Sequence, residues 1–218
     1  MSNRTKLSLA YLCIGFYILY YFVVAGFLIT GTDLLLTCWE ILTIIGGIVV
    51  LLFLLSVLEH TDDNRKSWKL ASIAFMTCTV ALTGVAHFVN ITVTRYLETN
   101  GVNVPDYFKI GQFSSVEMAI DCLAWGFFMG LAFICGALSL LPEYIELKKV
   151  KYTMLICGCL CIAGMSGVII RNDLLWFIAV FGYAIGTPII CIQMIRFYSR
   201  FHANGGQRSG TMKTLNEI

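Results

Sequence analysis

Apolar positions in this chain fall into about six runs, each near the roughly 20 residues that a hydrocarbon core of about 30 Å requires, with short polar connections between them. The pattern predicts helices over residues 8–29, 34–58, 70–94, 116–141, 152–170 and 174–195. Together they make one all-α integral membrane bundle over residues 1–202, followed by a flexible polar tail over 203–218. The first run is longer than a signal-peptide core and lacks a small-residue cleavage site, so it reads as a retained helix.

Polar residues inside the runs are few and patterned. The run over residues 114–136 carries Glu117 and Asp121 one helical turn apart. With Glu117 as zero and about 100° per residue, Asp121 falls near 40° and Trp125 near 80°, whereas Gly126 and Gly130 fall near 180° and 220°. One face therefore suits a close-packed neighbour and the other a polar interior, because charge turned to lipid is costly. On the third run Thr79, Thr83, Asn90 and Thr94 lie within about 80° of His87, a single polar stripe. Glu40 sits about two turns into the second run. Ser114 and Glu117 have the spacing of a capping box, which puts Glu117 at N3. Residues 95–113, with Gly101, Pro105 and several aromatic side chains, read as a folded surface loop and a candidate lid.

A hydrophobic fraction of 58%, with 13% charged residues and a mean hydropathy of +0.81, leaves no room for a separate soluble domain. Basic residues stand at the ends of the runs and form no patch interleaved with aromatics, which argues against nucleic acid as a partner. All nine cysteines fall within the runs, against a disulfide framework. Cys157, Cys159 and Cys161 make a C-x-C-x-C stretch, but residues two apart on a helix point about 200° from each other and cannot converge on one ion. They read as small packing residues.

Of the 15 lysines and arginines, all but Arg95, Lys109 and Arg171 fall on the side that holds the termini. The positive-inside rule then predicts cytoplasmic termini and a cell-membrane location. In that orientation Glu40, His87, Asn90, Glu117 and Asp121 share a shallow layer within roughly 12 Å of the outer surface. Arg95, Arg171 and Asp173 would rim the layer, and Trp39, Trp125, Trp176 and Tyr183 are candidate aromatic walls. An outward pocket of this make-up predicts binding or transport of a small polar or cationic ligand, coupled to protons because grouped acids beside a histidine exchange them readily. Two further classes fit the same residues. One is an intramembrane enzyme acting on a lipid-like substrate through a carboxylate and His87, with or without an oxygen-preferring metal. The other is a non-catalytic assembly subunit whose glycine-rich faces meet a partner or a second copy. No nucleophile or H-E-x-x-H motif is present, and the sequence leaves the cofactor unknown.

Overall fold

In lipid the backbone has no water to bond to, so each apolar run closes its own hydrogen bonds as a helix. The computed structural model describes residues 1–109, 115–141 and 145–215, with side chains through residue 200 apart from that of Asp173. Helix α1 spans Asn3–Thr30 and α2 spans Asp33–Val57. Helix α3 comprises Lys66–Val89, Asn90–Thr94 and Arg95–Thr99, and α4 comprises Val116–Cys122, Leu123–Phe128 and Met129–Ser139. Helix α5 spans Ile145–Ile170, and α6 comprises Asp173–Val180, Phe181–Ile185 and Gly186–Leu215. In α3, α4 and α6 the middle piece is a π-helical turn. All six helices are long and apolar enough to cross a membrane, and the chain is a polytopic membrane protein.

Each helix packs on its neighbours in sequence, and α6 closes back on α1, so the bundle is a ring. Toward the termini the interior is apolar, filled by Phe53, Leu54, Met76, Phe133, Met154, Met194 and Tyr198. The opposite end holds the buried acids Glu40 and Glu117.

The boundaries differ from those read in the sequence in ways that matter for the site. Helix α3 does not stop at Thr94. It runs to Thr99 and closes with a Schellman motif, in which Val102 N–H donates to Leu97 O at 3.0 Å and Gly101 N–H to Glu98 O at 3.0 Å. Gly101 supplies the left-handed conformation (φ 78°) that this ending demands. Arg95 is thus helical and held in register with the stripe, where a loop had been expected. Helix α5 already includes Lys148, Lys149 and Lys151. The N-cap of α4 is Ser115, whose hydroxyl accepts from Met118 N–H at 2.9 Å, so Glu117 stands at N2. Ser114 lies outside the described residues.

The glycine faces pack within the ring. A Cβ on Gly158 of α5 would lie 2.7 Å from Gly130 O of α4, and one on Gly182 of α6 would lie 2.8 Å from Cys157 O. Backbones there touch with no side chain between them.

The π-turns disturb the backbone ladder, and neighbouring helices answer with hydroxyls. Thr79 of α3 donates to Ala124 O within the α4 π-turn at 3.1 Å. In α6, Pro188 has no N–H to offer the carbonyl four residues before it, and Tyr21 of α1 donates its hydroxyl to that oxygen, on Ala184. Tyr21→Phe is therefore expected to lower stability by about 0.6–1.7 kcal/mol in reversible unfolding from mixed micelles. Tyr11→Phe, on the exposed face of the same helix, should leave it unchanged.

Candidate functional site

The stripe on α3 faces inward as its periodicity demands: Thr79, Thr83, His87, Asn90 and Thr94 are all buried. Opposite it, α2 turns Glu40 inward, 1% exposed. Both oxygens of that carboxylate are engaged. Asn90 Nδ2 donates to Oε1, and Arg95 Nη2 sits 2.5 Å from Oε2. The second guanidinium branch of Arg95, through Nη1, donates to Thr37 Oγ1, while the Thr37 hydroxyl donates to Asp33 O at 2.8 Å. Glu40 is thus neutralised and hydrogen-bonded in place, which is what a charge at this depth requires.

The π-turn makes this clasp possible. Asn90 and Arg95 are five residues apart, about 140° apart on a regular α-helix, and could not grip one carboxylate. An i→i+5 turn stacks residues five apart on one face. The sequence reading assumed regular turns and put Arg95 at the rim; it belongs to the layer itself.

Asp121 has a different setting. Its Oδ1 lies 3.4 Å from His87 Nε2 and 3.5 Å from Thr83 Oγ1, and no arginine or lysine pairs with it among the described residues. The two side chains are 18% and 7% exposed, and neither imidazole nitrogen completes a hydrogen bond. Tyr20 and Tyr183 lie within electrostatic reach of this carboxylate, as His87 does of Glu40. Trp125, on the helix that carries Asp121, meets Tyr183 at a ring-centre separation of 5.3 Å, and Tyr183 meets Trp176 at 6.4 Å. Trp39 stands elsewhere: its ring packs on Phe27 at 5.6 Å, and its Nε1–H donates to the Tyr20 hydroxyl at 2.6 Å.

Glu117 accepts from Thr94 Oγ1 at 3.1 Å, tying α4 to the end of α3. These two residues floor a cavity of about 260 Å³, walled by Val89, Val93 and Leu97 and by the segment from Val102 to Phe108. Of the five acidic and polar residues singled out in the sequence, Glu117 is the one that lines it. Arg171 stands exposed at the turn between α5 and α6, in the left-handed region (φ 57°), and enters none of these contacts. The side chain of Asp173 lies outside the description.

Sequence reasoning missed Tyr20 and Thr37. Thr37 precedes Glu40 by three residues and so shares its helix face, a signal that was available. Tyr20 was hidden among four tyrosines spread around α1. The nine cysteines are all free, with Cys157 and Cys161 buried and Cys159 exposed. Among the described residues no group of three or more His, Cys, Asp and Glu side chains is placed to hold a metal ion. No protein-family model matches the chain, and no curated protein or solved structure matches it either.

Proposed function

We propose that this membrane protein binds and carries a small cation, which exchanges with a proton at the His87–Asp121 pair. The observation behind this reading is the contrast between two buried acids in one layer. Glu40 has Arg95, whereas Asp121 has His87 at 3.4 Å and no arginine or lysine among the described residues. A carboxylate in a low-dielectric interior needs a positive partner, and here that partner is either the proton on His87 or a cation from outside. Tyr183, within electrostatic reach of Asp121, and the Trp125 ring packed on it supply the electron-rich faces that organic ammonium ions favour. In the orientation favoured by the basic residues, the layer faces the outside of the cell.

The test is a melting-temperature screen of purified protein against sodium, potassium, methylammonium and tetramethylammonium at mildly acidic and mildly alkaline pH. A cation present at 100 times its Kd should stabilise the fold by about 2.7 kcal/mol. The shift should be larger at alkaline pH, where protons compete less with the cation. It should vanish in Asp121→Asn and persist in Arg171→Ala. A shift that survives Asp121→Asn, or no shift with any cation, would sink the proposal.

A further inference from the structure

Glu40 is gripped from both sides of the α3 π-turn, by Asn90 at its start and by Arg95 just past its end. A regular helix could not present both residues to one carboxylate, so the clasp and the π-turn require each other. The same turn contributes Thr94, whose hydrogen bond to Glu117 closes the floor of the cavity. Beneath that floor lie Asp121, four residues on from Glu117 along α4, and His87, seven residues before Thr94 along α3.

We infer that the end of α3, Arg95–Thr99, is a latch: Glu40 holds it shut, the Asn90–Thr94 turn is its register hinge, and its release opens the cavity floor onto His87 and Asp121. With the clasp gone, no contact to Glu40 favours the i→i+5 pattern over the i→i+4 ladder. Reversion to a regular helix turns everything beyond the hinge by about one residue, or about 100°. Arg95 then leaves α2, and Thr94 swings off Glu117. The wall formed by Leu97 and the segment after it moves with them. What the open latch uncovers rests on the proposed cation site. The latch itself does not, and a measurement without cation separates the two.

Hydrogen–deuterium exchange of the full chain in detergent micelles, with no cation added, provides that measurement. Glu40→Gln is expected to speed exchange of the amides of residues 91–99 by about tenfold and to leave Met129–Ser139 of α4 unchanged. Deleting Val93 makes the hinge region regular and leaves Asn90 and Arg95 four residues apart on one face, so Glu40→Gln on that background should speed exchange over 91–99 by much less than in the parent. Where Glu40→Gln fails to fold, Arg95→Lys takes its place, since lysine keeps the charge but cannot reach Glu40 and Thr37 together. Exchange over 91–99 as slow as in the parent protein would overturn the latch. So would acceleration spread evenly over all six helices, or a full response in the Val93 deletion.

Discussion

Arg95→Ala is expected to destabilise the folded protein by about 3–5 kcal/mol, the range for removing one partner of a buried ion pair. Glu40 is 1% exposed, and its Oε2 would lose the guanidinium nitrogen now 2.5 Å away. Asn90 would still donate to Oε1, but a single amide does not replace a charge. Removing both charges should be far milder. In Arg95→Met with Glu40→Leu no buried carboxylate is left alone, and the remaining loss is the unanswered hydrogen bonding of Asn90 and Thr37, about 1 kcal/mol each. Unfolding midpoints of Arg95→Ala, Arg95→Met, Glu40→Leu and the double variant in mixed micelles complete the cycle. Equal losses for Arg95→Ala and the double variant would mean that the pair contributes packing and no electrostatics.

Gly158→Leu is expected to yield no monodisperse folded protein, a loss beyond about 4 kcal/mol. The first carbon of any side chain there would meet Gly130 O and Ile134 Cγ1, each at 2.7 Å, and a carbonyl oxygen on a neighbouring helix has nowhere to retreat. Helices α4 and α5 would have to part, and α4 carries both Glu117 and Asp121. Gly15→Ala is the control: nothing lies within 4 Å of its new methyl group, and the loss of a mid-helix glycine should stabilise by about 1 kcal/mol. Size-exclusion profiles and melting curves of the two variants check the expectation. A well-folded Gly158→Leu would show that the α4–α5 contact is loose.

The six spans were legible because the length and composition of a membrane helix are set by the bilayer, whatever the tertiary packing. The inward stripe of α3 was legible from Thr79 to Thr94, and its members are all buried. Beyond it the reading failed at Arg95, because a π-turn is one extra residue in the ladder and leaves no trace in hydropathy. The error in the α4 cap has a similar root. Ser114 and Ser115 are adjacent, both can cap, and spacing alone favoured the one that faces Glu117 across three residues. Partner choice was only half legible: Arg95 and Arg171 were both open as partners for Glu40, and the structure takes Arg95. Glu40 and Asp121 look alike as lone acids in apolar runs, and the ring alone decides that one receives an arginine and the other a histidine.

The clasp on Glu40 also orders how the chain can be assembled. Ribosomes make α2 before α3, and Arg95 stands at the far end of α3, so Glu40 leaves the ribosome well before its counter-ion exists. A helix bearing an unpaired carboxylate partitions poorly into lipid by itself. Helix α2 is the most apolar of the six spans and can carry that cost until α3 inserts beside it, so the clasp closes only at that point, and a variant that misplaces Arg95 leaves a carboxylate stranded in a span already in lipid.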